Sequence, residues 1–362
     1  MDSNDFAPDW ASAPGETIID ILEERGLSIG YLVEGLGQSP NRVQELLAGK
    51  IRITNGIAEQ LEDILGPSAH FWIARDSQYQ SDSARLEKGT RRDEEEWLNA
   101  LPLRDAAKFG WLQDSKHLSE KIAICLRFFD VSSVREWRVK YEHVLADAAY
   151  RTSPSFASKP GSVAVWLRRG EIEASAMVLN EWNPDRFKEI LESIRRLTRQ
   201  RDPQVFIPEI KKQCAQCGVA VAVIRAPTGC RASGATRFLS PNKALLLLSF
   251  RFLSDDHFWF TFFHEAGHLL LHSHEKLFLE GVERSQSQEE LEANDFAQRA
   301  LVPSELLSTL GTLRADKREI VKFAIRARIS PGIVVGQLQH IRRLRRDQFN
   351  SLKRRFRWTH SE

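Results

Sequence analysis

The sequence predicts a mainly α protein with one small sheet, an α+β chain. A bundle of short helices leads, a helical middle follows, and a mixed C-terminal domain comes last. Three observations predict it. Short apolar stripes at helical spacing, opened by capping residues and closed by glycine, run from Gly15 to Gln80. Helical periodicity continues through residues 81–200, broken by a polar run at Glu87–Glu96 and a Ser/Pro/Gly-rich stretch at Thr152–Ser162. Two apolar runs, Val219–Ile224 and Ala244–Ser249, then read as buried strands placed just ahead of a long apolar helix, with Gly229–Gly234 as a loop between them. The expected division is 1–80, 81–200, 201–310 and a basic helical region at 311–362.

The bulk properties bound this reading. At 362 residues the chain is long enough for two or three domains. Hydrophobic residues at 42% and charged residues at 28% belong to a globular chain rather than a disordered one. Its longest apolar runs fall far short of the roughly 20 residues of a membrane span, and the acidic start Met1-Asp2-Ser3-Asn4-Asp5 lacks the pattern of a secretory signal. The expectation is a cytoplasmic protein with no membrane partner. Four cysteines make no disulfide framework. Cys214 and Cys217 have the spacing of half a metal site, but no second pair follows, and small buried side chains near a strand is the plainer reading.

The net charge of +2 conceals opposed ends. Residues 1–80 carry five basic against thirteen acidic side chains, a net of −8, and residues 312–362 carry fourteen against four, a net of +10. Such ends attract each other within one chain or across a homodimer, or the basic end seeks a polyanion.

In the N-terminal region, Ile18, Ile21 and Leu22 form one helical stripe. Ser28 caps a second helix that carries Leu32, Val33 and Leu36 and stops at Gly37. Ser39 with Pro40 opens a third that buries Val43, Leu46 and Leu47, and a fourth runs from Thr54 to Gly66-Pro67. A short helix, a glycine-containing turn and another helix is the pattern of a helix-turn-helix. Pro14-Gly15-Glu16, Gly26-Leu27-Ser28, Leu46 with Gly49-Lys50, Ile53-Thr54, and Phe71-Trp72 with Tyr79 resemble the HigA-type antitoxin branch of the XRE helix-turn-helix regulators over most of residues 13–80. In a helix-turn-helix the second helix reads DNA. The candidate DNA-contacting residues are therefore Ser39, Asn41, Arg42 and Gln44, with Glu45 beside them, and Lys50 and Arg52 near the phosphates. The net charge of −8 argues against phosphate binding, so a dimerisation or partner-holding role stands beside a DNA operator.

The chemistry lies in His264-Glu265-Ala266-Gly267-His268, an HExxH motif. Residues four apart share a helix face, so His264 and His268 can offer imidazole nitrogens to one ion with Glu265 alongside. A zinc hydrolase needs three protein ligands and an open position at which water becomes a nucleophile near neutral pH. Glu265 is the candidate catalytic base. For the third ligand, His272 lies about 12 Å along the helix from His264, too far to share an ion, and is expected to pack or to support a ligand from behind. The better candidates are on the helix that starts near Glu289. Glu290 is favoured because Asn294, four residues on, would then face the same site; Glu292 and Glu289 remain alternatives. Leu291, Phe296, Ala300 and Leu301 are expected to face the core.

Phe258-Trp259-Phe260-Thr261, the HExxH motif, Leu271-His272, then Glu290, Glu292-Ala293-Asn294, Phe296-Ala297 and Leu301-Val302-Pro303 resemble the ImmA/IrrE family of metallopeptidases. Ser330-Pro331-Gly332-Ile333 through His340 resembles the C-terminal element of proteins that fuse this domain to a HigA-type regulator. Val302 departs from the methionine usual in the family. The resemblance implies a zincin-like fold and Zn2+ held by the two histidines and a downstream glutamate. It also implies endopeptidase action on a narrow protein partner, a repressor or toxin-like protein. The expected function is a DNA-binding transcriptional regulator with a zinc endopeptidase domain. The alternative is a non-catalytic antitoxin or repressor in which zinc is structural or lost. The basic C-terminal segment, Arg342 to Trp358, reads as an amphipathic helix packed on the body, or as one docked on the acidic N-terminal module.

Overall fold

A computed structural model describes residues 8, 10–142, 159–274, 276–280 and 287–358. The Ser/Pro/Gly-rich break at Thr152–Ser162 lies mostly outside them. The chain forms two compact units, Met1–Glu96 and Trp97–Glu362.

The first unit is built from α1 (Pro14–Glu24), α2 (Ile29–Leu36), α3 (Pro40–Leu47), α4 (Asn55–Leu65) and the start of α5 (Ala69–Ala100). Helices α2, α3 and α4 begin where their caps predict. The side chains of Ser28, Ser39 and Thr54 accept from the backbone N–H groups of Tyr31, Arg42 and Ile57, satisfying donors that a helix start leaves free. Gly37, in the left-handed region at φ 60°, ends α2, and a three-residue link leads into α3. The apolar stripes converge on one core of Ile18, Leu22, Leu32, Leu36, Val43, Leu61 and Trp72.

The second unit is mostly helical around a four-stranded mixed sheet. Its leading helices are α6 (Leu103–Lys108), α7 (Leu118–Phe129), α8 (Val134–Trp137), α9 (Pro160–Ser175), α10 (Pro184–Leu197) and α11 (Pro203–Ala215). The strands are β1 (Val219–Val223), β2 (Gly234–Ser240), β3 (Lys243–Leu248) and β4 (Phe278–Glu280), in the order β1-β3-β2-β4. β1 runs parallel to β3, and β2 runs antiparallel to both β3 and β4. The two apolar runs are β1, at one edge of the sheet, and β3, which pairs with it inside the sheet. β2 and β4 were not anticipated.

Both faces of this sheet are covered, which is why β1 and β3 are continuous apolar runs rather than alternating ones. Val219, Val221, Leu246 and Leu248 point into a core shared with α10, α11 and α12 (Asp255–Leu271). The other face, Ala220, Ala222, Leu245 and Leu247, packs on Trp97, Phe129, Trp137 and Trp166, so much of the expected helical middle shares its core with the sheet. Beyond α12 come α13 (Gln288–Leu301), α14 (Ser304–Thr312), α15 (Lys317–Ala327) and α16 (Pro331–His340). No helix among the described residues is long and apolar enough to cross a membrane.

Two expectations are corrected here. Leu291 does not face the core but is 53% exposed, because the side of α13 that meets α12 carries Ala293, Ala297 and Leu301. The basic end is not a helix either. After His340 the chain turns repeatedly, with one 3-10 turn at Asn350–Leu352, and its apolar side chains Leu344, Phe349, Phe356 and Trp358 are pulled separately into the core.

That irregular path anchors α12. The Asp255 N–H donates to the Arg354 carbonyl at 3.1 Å, and Asp255 Oδ1 accepts from the Arg354 N–H at 3.0 Å. Asp255 Oδ2 accepts from the Ser330 hydroxyl at 2.7 Å. Lys353 Nζ lies 2.6 Å from Asp256 Oδ2 with both side chains under 8% exposed. Two carboxylates in the first turn suit the positive end of the helix dipole, and the tail partners both of them.

Candidate active site

α12 is buried along nearly its whole length, with β2 and β3 on one side and α13 and α16 on others. A helix so enclosed can hold polar groups only if each finds a partner. Those groups are the HExxH residues, where His264 is 1%, Glu265 0% and His268 2% exposed.

One helical turn separates the two histidines, and their Nε2 atoms stand 3.0 Å apart. Glu290, in the first turn of α13, completes the group. Its Oε2 lies 3.3 Å from His264 Nε2 and its Oε1 3.4 Å from His268 Nε2. α13 reaches this close because Gly267 offers no side chain; a Cβ there would stand 3.1 Å from Phe296 and 3.3 Å from the Ala293 backbone. Two imidazole nitrogens and a carboxylate, all within 4.8 Å of one another, form a donor set that suits zinc. The alternatives for the third position are placed elsewhere. Glu292 Oε2 pairs with His272 Nε2 at 3.2 Å, and Glu289 pairs with Lys276 at 2.5 Å.

The outer partners orient both rings. Asn294 Oδ1 can only accept, so His264 Nδ1 at 3.2 Å carries a hydrogen, and the ring's Nε2 points at Glu290 and the centre of the group. His272 Nδ1 is 2.9 Å from His268 Nδ1, and its own Nε2 reaches Glu292. A chain from Glu292 through His272 thus fixes His268, the arrangement that holds ligand histidines in metal sites. Phe278 of β4 stacks on the His268 ring at 4.1 Å and 15°.

Glu265 turns away from the histidine face towards β2. Its Oε2 accepts from the Thr236 hydroxyl at 2.7 Å, and its Oε1 is buried with no donor among the described residues. Burial pushes Glu265 well above the ordinary carboxylate range, although the His264 charge pulls the other way. Burial disfavours charge on His264, but hydrogen bonding to Glu290 together with the nearby carboxylates of Glu280, Glu265 and Glu290 outweighs it and lifts that imidazole to about 9. The two histidines hold Glu290 down at about 2 against its own burial. His268 moves downward, first through burial. The pattern is that of one proton held beside one carboxylate.

Thr236, Phe278 and Glu280 were missed at the sequence level, since β2 carries a weak strand pattern and β4 has only three residues. Nothing local marks them. The thiols of Cys125, Cys214, Cys217 and Cys230 are all free and buried, and burial raises each of them, Cys125 and Cys230 to about 12. Inert packing follows.

Residues 219–338 match the Peptidase_M78 family, the IrrE N-terminal-like domain. The matched span starts at β1, ends within α16 and contains the HExxH helix and Glu290. An IrrE-like span of this kind supports a metallopeptidase-type function for the second unit. No curated protein matches the chain.

The candidate DNA-contacting residues sit in the first unit, outside the IrrE-like span. Asn41, Arg42, Gln44 and Glu45 line the exposed side of α3, and Ser39 caps it. Lys50 is exposed in the loop that follows. Arg52 is tied to buried Asp76 at 2.6 Å, so its charge is partly neutralised.

Proposed function

We propose that the second unit is a zinc-dependent endopeptidase that cleaves one protein partner, and that the first is a helix-turn-helix module, making the protein a DNA-binding regulator. The carrying observation is the convergence of His264, His268 and Glu290, with the unpartnered Oε1 of Glu265 on the adjoining side. Zinc, when bound by these three residues, supplies Lewis acidity to a water and to the scissile carbonyl. Glu265 takes a proton from the water as its oxygen bonds to the carbonyl carbon. The C–N bond then breaks, and Glu265 delivers the proton to the leaving amine. Thr236 holds the other carboxylate oxygen and so fixes the direction of the bare one.

Comparing new protein N-termini in cell extract treated with the zinc-loaded chain or with its Glu265→Gln variant tests this reading. One or a few termini formed only by the wild type support it, and identical profiles reject it.

A second reading is favoured by the closure of the site. The HExxH side chains are at most 2% exposed and Phe278 covers His268. In that reading zinc is structural and the protein acts as a repressor or antitoxin without cleavage. For DNA, the exposed face of α3 supports base contact and the net −8 of residues 1–80 opposes it. Fluorescence polarisation on the protein's own upstream region at two salt concentrations discriminates, because equal affinity for random DNA removes the operator role.

A further inference from the structure

Beside the HExxH histidines stand the carboxylates of Glu265, Glu280, Glu290 and Glu292, and the proposed chemistry uses Glu265 and Glu290, with Glu292 held outside by His272. Glu280 is left over. It ends β4 at the edge of the sheet, and one of its oxygens accepts from the Thr261 hydroxyl, one turn ahead of Glu265. Its Oε2 is sealed from solvent and has no partner among the described residues.

Strand register explains where this carboxylate goes. Glu280 is paired directly across from Gly234 of β2, and directly opposed residues project to the same face of a sheet. At Gly234 that face is α12, because a Cβ there would lie 2.5 Å from Glu265 Oε1 and 2.6 Å from Thr261 Cγ2. The absent side chain leaves space that Glu265 fills, on the face to which Glu280 also projects and close enough for its charge to act on Glu265. Two buried carboxylate oxygens, each without a donor among the described residues, therefore lie together on the Glu265 side of the site. Bare buried acceptors of this kind call for a group with two hydrogens to give.

Resting on the metallopeptidase reading, we infer that Glu280 is a positioning residue that holds the nucleophilic water together with Glu265. One O–H of the water points to Glu265, which removes that proton, and the other points to Glu280, which aims the oxygen at the substrate carbonyl. Glu280 forms no bond to substrate and transfers no proton in the step. Its seat on β4 couples water placement to the strand that carries Phe278 against His268.

The experiment uses the full chain loaded with zinc or cobalt(II), and acetohydroxamate, whose O–H and N–H offer two donors in place of the water's two. Wild type, Glu280→Gln and Glu280→Asp are compared for metal content, cobalt absorption and acetohydroxamate affinity. The expected result is one metal per chain in all three. Glu280→Gln should show a changed visible cobalt spectrum and binding weakened roughly tenfold or more, the worth of a hydrogen bond to a charged group. Glu280→Asp, which keeps the charge, should lie between them. Relief of a buried unpaired carboxylate should leave the metal-free unfolding midpoint of Glu280→Gln unchanged or raised. Wild-type spectrum and affinity in both variants overturn the inference while leaving the zinc site standing. If Glu280→Gln does not fold, wild-type behaviour of Glu280→Asp alone overturns it, and weakened binding at full metal content supports it. Wild-type protein that takes up no metal removes the metallopeptidase reading, and this inference with it.

Discussion

Asn294 Oδ1 stands 3.2 Å from His264 Nδ1, four residues along α13 from the carboxylate that meets the same ring's other nitrogen. One helix face thus supplies both a candidate ligand, Glu290, and the group that orients its neighbour. The four-residue spacing is a requirement of that double role.

This relationship ranks the effects of substitution on metal content. His264→Ala, His268→Ala and Glu290→Ala should each remove zinc from the purified protein. Asn294→Ala should keep the fold and weaken zinc by about 10- to 100-fold, the usual cost of losing an outer partner. Mass spectrometry of metal content with competitive chelator titration measures both. Full zinc in Glu290→Ala would transfer the ligand role to another residue.

Glu265→Gln should retain zinc and abolish cleavage. Thr236→Val should slow cleavage without removing zinc, because it frees the carboxylate to rotate rather than deleting it. Gly234→Ala puts a methyl group 2.5 Å from Glu265 Oε1, too close to leave that carboxylate in place, and should harm activity more than Thr236→Val does. Rates on the identified partner beside zinc stoichiometry test the order, and zinc loss in Glu265→Gln would undercut the role given to Glu265.

Zinc binding should expel a proton. In the metal-free fold Glu290 keeps His264 protonated up to about pH 9, whereas an unfolded imidazole loses its proton near 6.5. The raised value stabilises the metal-free fold fully below about pH 6.5, and this contribution fades as pH rises through about 9. A ligating nitrogen must be neutral, so roughly one proton should leave per zinc between about pH 7 and 8, and affinity should fall as the pH is lowered. Calorimetry in buffers of different ionisation heat measures the count, and no release in that range would contradict the pairing of His264 with Glu290.

The C-terminal tail should be needed for stability of the second unit. Lys353→Met leaves Asp256 buried and unpaired and should cost roughly 3–5 kcal/mol, while the double substitution with Asp256→Leu should regain much of it. Urea unfolding followed by tryptophan fluorescence reads both. Equal stability of Lys353→Met and wild type would show that the pair at 2.6 Å contributes nothing.

Much of this architecture was legible because local rules govern it. Capping at Ser28, Ser39 and Thr54 and the four-residue spacing of His264 and His268 concern residues within one turn, where backbone hydrogen bonding leaves few choices. The runs Val219–Ile224 and Ala244–Ser249 were readable as strands because strands buried on both faces must be apolar throughout. By contrast, β2 and β4 carry weak patterns of their own and exist by pairing, so Gly234 is unreadable until β4 lies beside it. The tail looked helical from its mixed charge and apolar residues, yet Lys353 and Arg354 gain more from Asp256 and Asp255, about a hundred residues earlier, than from a helix of their own.

The sequence by itself determined the helices of the first unit, the motif helix and a short set of candidate ligands, since each depends on spacing within one element. Only the tertiary structure brought Glu290, rather than Glu289 or Glu292, to the two histidines, placed Thr236 and Glu280 beside Glu265, and bound the tail to α12. Those outcomes depend on how closely two elements approach, and that distance is set by the packing of residues remote in the chain, among them the missing side chains of Gly234 and Gly267.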